Sequence, residues 1–128
     1  MTGTLQKYRP HALALLRIVT ALLFIEHGTM KLFGYPASDM GRPALFSLMG
    51  LAGILEVAGG ILVLLGLFTR PVAFVLSGMM AVAYWMAHAP QSVFPVLNGG
   101  DAAILFCFVF LYLVFAGPGA WSMDGRRR

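Results

Sequence analysis

The sequence predicts an all-α fold, an integral membrane protein built as an antiparallel bundle of four helices. Hydrophobic residues make up 59% of the 128 residues and charged residues only 11%, and the mean hydropathy is +0.83. A soluble domain carries about 25% charged residues, and a disordered chain is poor in the aromatic and branched residues that dominate here. The composition therefore excludes both classes and favours a chain surrounded by lipid.

Four apolar stretches approach the length of about 20 residues that a helix needs to cross a bilayer. The predicted spans cover residues 12–33, 44–68, 71–87 and 97–116. Helix-breaking residues mark the ends of these spans. They are Gly34 and Pro36 after the first span, Pro43 before the second, Pro71 at the start of the third, and Gly117-Pro118-Gly119 after the fourth.

The fourth span is the weakest, because its unbroken apolar part begins only at Ala102. About 15 residues of helix rise about 22 Å, which is less than the hydrocarbon thickness of about 30 Å. We therefore expect the preceding segment, Leu97 to Asp101, to dip into the membrane and complete the span.

The short connections between the spans predict antiparallel neighbours in a single domain that covers residues 1–128. Lysine and arginine near the ends of spans prefer the cytoplasmic side. Those that share a side with both termini are Lys7, Arg9, Arg70, Arg126, Arg127 and Arg128, and those on the other side are Lys31 and Arg42. We therefore expect both termini in the cytoplasm. The net charge of +4 then reflects topology and anionic lipid headgroups rather than nucleic-acid binding.

Polar residues from all four spans fall in the outer half of the predicted bundle. Each ionisable residue inside a membrane is a candidate for function, because its burial there is costly. The candidate site residues are His27, Lys31, Glu56, Tyr84, His88, Asn98 and Asp101. Helical periodicity places His27 and Lys31 on one face of the first span, and Tyr84 and His88 on one stripe of the third.

Two of these residues have structural alternatives. Glu56 lies near the middle of the second span, on the same face as Gly53 and Gly60. It either clamps two closely packed helices or serves as a proton relay or ligand contact. Lys31 either faces the site or extends its ammonium group towards the outer surface.

Three further charged residues are interpreted from their positions. Asp101 follows Asn98-Gly99-Gly100, a pattern typical of a helix cap, so its carboxylate serves either the cap or the site. Arg17 and Arg70 are predicted to be interfacial anchors near the cytoplasmic face.

The cysteine and histidine content limits the cofactor chemistry. Cys107 is the single cysteine, so the chain forms no intramolecular disulfide and carries no C-x-x-C motif, and thiol chemistry belongs to a partner. His27 and His88 could ligate a haem from two helices, an alternative that only their shared depth supports. The chain carries no metal-ligand motif such as H-E-x-x-H, so we predict no metal site.

Short motifs occur along nearly the whole chain, from Leu16 to Asp124. They are His27-Gly28-Thr29-Met30-Lys31-Leu32-Phe33-Gly34, Gly53-Ile54-Leu55-Glu56-Val57-Ala58-Gly59-Gly60, Gly66-Leu67-Phe68-Thr69-Arg70, Met80-Ala81-Val82-Ala83-Tyr84, His88-Ala89-Pro90, Phe94-Pro95, Asn98-Gly99-Gly100-Asp101, Gly117-Pro118-Gly119 and Ser122-Met123-Asp124. Together these motifs resemble the DoxX family. The position of Asp101 is commonly Glu in that family.

The resemblance implies a four-helix protein of the bacterial cytoplasmic (inner) membrane that does redox work with partners. Relatives include a subunit of thiosulfate:quinone oxidoreductase. Another, from mycobacteria, joins a superoxide dismutase and a sulfurtransferase in a membrane complex linked to oxidative stress. The resemblance thus implies partner redox proteins, and the other expected partners are the lipid bilayer and further copies of the chain.

The sequence leads to the hypothesis of a membrane subunit, without autonomous activity, of a quinone-linked or sulfur-related oxidoreductase. Its outer pocket would bind a quinone or a small sulfur-containing substrate. His27 or His88 would exchange a proton with a quinone carbonyl, Glu56 would relay that proton, and Lys31 would hold a developing negative charge. Two alternatives are a transporter or channel for protons or small solutes, and a membrane anchor that recruits soluble redox enzymes.

Overall fold

Every regular element in the computed structural model, which describes residues 2–37, 43 and 45–126, is helical, as the sequence predicts. The elements are α1 (Thr2–Lys7), α2 (Arg9–Phe33), α3 (Leu48–Leu65), α4 (Thr69–Ala83), a π-helical segment (Tyr84–His88), a 3-10 turn (Ala89–Gln91), α5 (Pro95–Asn98), α6 (Asp101–Ala116) and α7 (Met123–Arg126). The four long helices α2, α3, α4 and α6 form the bundle, which confirms the predicted all-α class.

Within the described residues, three helical stretches are long and apolar enough to cross a membrane. They are Arg9–Phe33, Leu48–Leu65 and Thr69–Gln91. They correspond to the first three predicted spans, although Ala44, the predicted start of the second, lies outside the described residues. The fourth helix, α6, is apolar but shorter, and it begins at Asp101.

In the fourth stretch, a turn separates the segment that starts at residue 97 from the long helix α6. Gly99 has a left-handed φ of 73°, which ends α5 at Asn98. A separate helix, α6, begins at Asp101. Asn98 is buried, whereas Leu97 is exposed, and entry of this segment into the membrane stays a prediction.

The bundle consists of two closely packed antiparallel pairs, α2 with α3 and α4 with α6. Glycine permits the first contact, since a Cβ atom at Gly28 would lie only 2.9 Å from the backbone oxygen of Gly53. In the second pair, the hydroxyl of Ser77 donates a hydrogen bond of 2.8 Å to the carbonyl oxygen of Cys107. Small and hydroxyl-bearing residues of this kind stabilise helix contacts in membranes.

Aromatic rings connect the two pairs. The ring of Phe24 on α2 packs edge-on against Phe106 and Phe110 of α6, with centroid distances of 5.3 and 4.9 Å. The surrounding core contains the buried residues Ala21, Phe24, Val63, Ala73, Leu76, Met80, Phe110 and Leu113. This core fills the middle of the bundle. The polar side chains of the candidate site, which is described below, lie next to it.

Arg17 is fully buried, which corrects its predicted role as an interfacial anchor. Its guanidinium group donates hydrogen bonds to the carbonyl oxygens of Pro118, Ala120 (3.0 Å) and Trp121 (2.9 Å). The segment after α6 folds back over α2, where the amide of Ala120 also donates to the carbonyl oxygen of Pro10 at 2.9 Å. The end of the bundle that contains these residues is called the terminal end below, and the opposite end the distal end.

Two more charged residues fix helix ends at the terminal end. The guanidinium group of Arg70, which is exposed, donates to two carbonyl oxygens in the last turn of α6 at 3.2 and 3.0 Å. The carboxylate of Asp124 accepts hydrogen bonds from the amides of Phe68 and Thr69 at 2.9 and 3.0 Å, where α4 begins. Both contacts satisfy backbone groups that the helices leave free.

Residues from both ends of the chain therefore meet at the terminal end of the bundle, as the four-span topology predicts. Arg42, Arg127 and Arg128, which contribute to the charge argument for orientation, lie outside the described residues. The cytoplasmic location of the termini stays a prediction.

Candidate functional site

A cavity of about 170 Å³ lies in the distal half of the bundle, next to the aromatic rings of Phe24 and Phe106. Side chains from α2, α3, the end of α4 and α6 surround it, so it is a product of the whole bundle. The lining residues are Phe24, His27, Lys31, Glu56, Met80, Ala83, His88, Gly99, Ala102, Ala103 and Phe106. Four polar side chains are thus set in an otherwise apolar wall, which is the usual composition of a small-molecule site.

Lys31 and Glu56 form an ion pair between α2 and α3. The Nζ atom of Lys31 donates a hydrogen bond to Oε1 of Glu56. The Glu56 side chain is 2% exposed and the Lys31 side chain 18% exposed, so the carboxylate is the buried member. Lys31 therefore turns towards the interior rather than towards the surface, and Glu56 points into the bundle as predicted.

His27 is held by its own helix. Its Nδ1 atom lies 2.9 Å from the carbonyl oxygen of Leu23. Since a carbonyl oxygen only accepts, Nδ1 donates this hydrogen bond, and in the neutral ring the lone pair is then on Nε2. The ring also packs edge-on against Phe106, with a centroid distance of 5.7 Å, which fixes its orientation at the cavity wall.

His88 is held in the same way from the other side of the cavity. Its Nδ1 atom lies 3.0 Å from the carbonyl oxygen of Asn98, to which it donates a hydrogen bond. The ring stacks on Tyr84 with a centroid distance of 6.3 Å and an interplanar angle of 26°. His88 ends the π-helical segment, a distortion of α-helices that frequently occurs at functional sites.

Asn98 organises the turn between α5 and α6. Its Nδ2 atom donates to the hydroxyl oxygen of Tyr84 at 3.2 Å and to the carbonyl oxygen of Ser92 at 3.0 Å. Its Oδ1 atom accepts a hydrogen bond of 2.8 Å from the amide of Gly100. Asn98 and Tyr84 therefore do not line the cavity but position the carbonyl group that holds His88.

Asp101 is exposed and does not line the cavity. The residue at the N-cap of α6 is Gly100, and no side chain caps this helix, so the predicted cap at Asp101 is wrong. The carboxylate lies instead in the first turn of α6, where a negative charge is favourable beside the positive end of the helix dipole.

A second cavity adjoins the distal end and is about 280 Å³ in volume. Its lining residues are Lys31, Leu32, Phe33, Pro43, Leu45 and Ile54. Lys31 belongs to both cavities, so its stem and ammonium group lie between the inner cavity and the connection that precedes α3.

The structure thus brings four of the seven sequence candidates to one cavity: His27, Lys31, Glu56 and His88. It also reveals an aromatic wall, chiefly Phe24 and Phe106, that the sequence analysis did not single out. Phenylalanine in an apolar helix carries no signal of its own, because every face of α6 is hydrophobic. In the described part of the chain, no group of three His, Cys, Asp or Glu residues is placed to hold a metal ion.

Comparison with protein-family models finds a match to the DoxX family over residues 12–89. The matched region contains most of α2, all of α3 and α4, and His88, and with them the four polar residues that line the cavity. No solved structure matches the chain.

Relatives of similar length occur in several bacteria. An uncharacterized protein of Haemophilus influenzae is 46% identical, over 97% of this chain and 96% of that protein. Inner membrane protein YphA of Escherichia coli is 32% identical, over 92% of this chain and 91% of its own length. An uncharacterized membrane protein of Mycobacterium tuberculosis is 30% identical, over 91% of this chain and 82% of that protein.

Proposed function

The chain belongs to the DoxX family of integral membrane proteins, and from this premise we propose that it is the membrane subunit of a quinone-linked oxidoreductase. The ring of the quinone would bind in the cavity lined by His27, Lys31, Glu56 and His88. A quinone supplies two-electron, two-proton chemistry, and a partner protein would supply the substrate that is oxidised.

The observation that carries the proposal is that the two histidine rings are held in the same way. Both rings have Nδ1 engaged with a backbone carbonyl oxygen, at 2.9 Å for His27 and 3.0 Å for His88. In the described part of the chain, Nε2 of neither ring has a partner. Such a nitrogen accepts a proton from a hydroxyl group, and after protonation it donates to a carbonyl oxygen. Two of these groups in the lining of one cavity suit a ring that carries two oxygen atoms.

The size of the cavity favours a single six-membered ring. Its volume of about 170 Å³ is close to the roughly 150 Å³ of an engineered protein cavity that binds benzene. A haem between His27 and His88 is much larger than this space, so the cavity does not fit that alternative. The apolar wall of Phe24, Met80 and Phe106 suits the faces of a quinone ring.

Lys31 and Glu56 extend the polar surface from the cavity towards the distal surface. Their ion pair is adjacent to both cavities, because Lys31 lines each of them. A proton released at a histidine could pass to the Glu56 carboxylate, while the ammonium group stabilises negative charge on a ligand oxygen. We expect this division of roles if protons are exchanged with the solution at the distal end of the bundle.

The transport alternative is less well supported by the geometry. A transporter needs access to its site from both ends of the bundle. At the terminal end, the segment after α6 is bound by Arg17 through three carbonyl oxygens, and Arg70 holds the last turn of α6. The polar cavity lies wholly in the distal half, which suits binding from one side.

Ligand binding by the purified protein tests the proposal. We would titrate full-length protein in lipid nanodiscs with a ubiquinone that carries one isoprenoid unit, and measure heat of binding. His27→Ala and His88→Ala should each weaken binding about tenfold, the loss expected for one hydrogen bond of about 1.4 kcal/mol. His11→Ala is the matched control, since this third histidine packs on Trp121 at the terminal end, with a centroid distance of 5.1 Å.

Two results would contradict the proposal. One is the absence of saturable binding to wild-type protein that is folded by circular dichroism. The other is equal affinity of the wild type, His27→Ala and His88→Ala. Proton or solute flux in proteoliposomes that is lost in Glu56→Gln would instead support the transport alternative.

A further inference from the structure

Glu26 lies on the outer surface of α2, on the side away from the cavity. It is exposed and continues a stripe of exposed apolar residues at intervals of three and four, namely Leu15, Val19 and Leu22. Its carboxylate has no partner within the part of the chain that the structure describes, where Lys31 is paired with Glu56 instead. An acidic side chain thus interrupts a surface that otherwise suits lipid.

The contacts between α2 and α3 fix the depth of Glu26. Gly28 faces Gly53 and Glu56, whereas Gly60 faces Phe24 and Ile25. Glu26 therefore lies level with the stretch between Glu56 and Gly60, which is the middle of the apolar helix Leu48–Leu65. On α2 itself, which ends at Phe33, Glu26 lies seven residues, or about 10 Å, before the distal end of the helix.

An unpartnered carboxyl group at this depth is costly. Ionisable residues in membrane helices almost always face the bundle interior or a partner, because hydrocarbon offers no hydrogen bonds. The side chain of Glu26 is also too short to extend past the distal end of α2 from that depth. The exposed face of α2 therefore needs a partner that provides a polar group at the same depth.

We propose that this partner is a second copy of the chain, in a parallel dimer with α2 packed on α2 and the two Glu26 carboxyl groups in contact. Copies in one membrane share the same orientation, so a two-fold axis along the membrane normal brings the same residue of each copy to the same depth. Two carboxyl groups that share a proton are complementary to one another, as an interface between identical surfaces requires. Hydrogen bonds of this kind drive the association of membrane helices.

Cysteine cross-linking tests the surface. In a Cys107→Ala background, Leu22→Cys places a thiol one turn from Glu26 on the same stripe and keeps the carboxyl group. Oxidation in native membranes should give a disulfide-linked dimer. Val75→Cys on α4 is the matched control, because Val75 is 54% exposed and Leu22 is 53% exposed, and it should give none. Equal cross-linking at both positions, or linkage of Leu22→Cys to a different protein, would overturn the proposal.

The carboxyl group itself is tested by energy transfer between labelled copies in liposomes. Glu26→Leu should weaken dimerisation about fivefold to thirtyfold, the range expected for one hydrogen bond between membrane helices. Glu26→Gln keeps a self-complementary side chain and should dimerise like the wild type. Wild-type dimerisation by Glu26→Leu would rule out the carboxyl contact. Since Glu26 faces away from the cavity, none of these results depends on quinone binding.

Discussion

The ammonium group of Lys31 is bonded to the buried carboxylate of Glu56, and this contact joins α2 to α3 at the wall of the cavity. The pair therefore combines two roles that the sequence left as alternatives for Glu56, since it clamps two helices and also presents charge to the cavity.

Loss of one member of this pair should be more harmful than loss of both. Lys31→Met leaves an uncompensated buried carboxylate and should lower the free energy of unfolding by about 3 kcal/mol. The double variant Lys31→Met/Glu56→Met removes both charges, so it should be clearly more stable than the sum of the single changes. Unfolding by dodecyl sulfate in mixed micelles measures these values. Strict additivity of the single changes would show that the charges do not interact.

Gly28 should be intolerant of even a methyl group. A Cβ atom there would lie 2.7 Å from Cγ2 of Val57 and 2.9 Å from the backbone oxygen of Gly53, which cannot move aside. Gly28→Ala should therefore cost about 1–3 kcal/mol by forcing α2 away from α3.

The matched control is Gly78→Ala on α4. A Cβ atom at Gly78 meets no atom within 4 Å, so the change should be neutral or stabilise the helix by up to about 1 kcal/mol. Both variants are compared in the same unfolding titration. Similar stability of Gly28→Ala and Gly78→Ala would contradict the close approach of α2 and α3.

The sequence was sufficient for the helices and for much of the cavity. Hydropathy located the spans because lipid imposes one length and one polarity on each of them. The four polar residues of the cavity could be assigned to one layer, because the predicted topology converts position along a helix into depth. Periodicity then placed His27 and Lys31 on one face.

Contacts between distant segments could not be read in this way. The burial of Arg17 depends on the chain folding back after α6, more than 100 positions later, and nothing in the local pattern of α2 encodes that return. The depth of Asp101 predicts a place in the site, and the preceding Asn98-Gly99-Gly100 predicts a cap as the alternative. A glycine turn at Gly99 and Gly100 directs the side chain outward, and such a turn changes direction without changing depth.

Arg17 should determine the order of the segment after α6. Arg17→Leu leaves three carbonyl oxygens without their donor in a buried setting, and each such loss costs about 1–3 kcal/mol. We expect the amides of residues 117–124 to exchange hydrogen at least tenfold faster, as measured by mass spectrometry. Arg70→Leu is the control, since Arg70 is exposed and contacts the last turn of α6, and it should leave the Arg17 contacts intact. Unchanged exchange in Arg17→Leu would show that other contacts hold the segment.

Asn98 should control ligand binding through His88 rather than by contact. Asn98→Asp keeps the oxygen that accepts from the Gly100 amide but loses the Nδ2 donor to Tyr84 and Ser92. Asn98→Leu loses all three hydrogen bonds and should lower stability by about 2–4 kcal/mol, at about 1 kcal/mol or more for each.

In both variants the carbonyl oxygen that orients His88 becomes less well fixed. Quinone affinity should therefore fall in the order wild type, Asn98→Asp, Asn98→Leu, whereas addition of Asn98→Asp to His88→Ala should cause little further loss. Full additivity of Asn98→Asp and His88→Ala in the binding titration would mean that Asn98 touches the ligand itself.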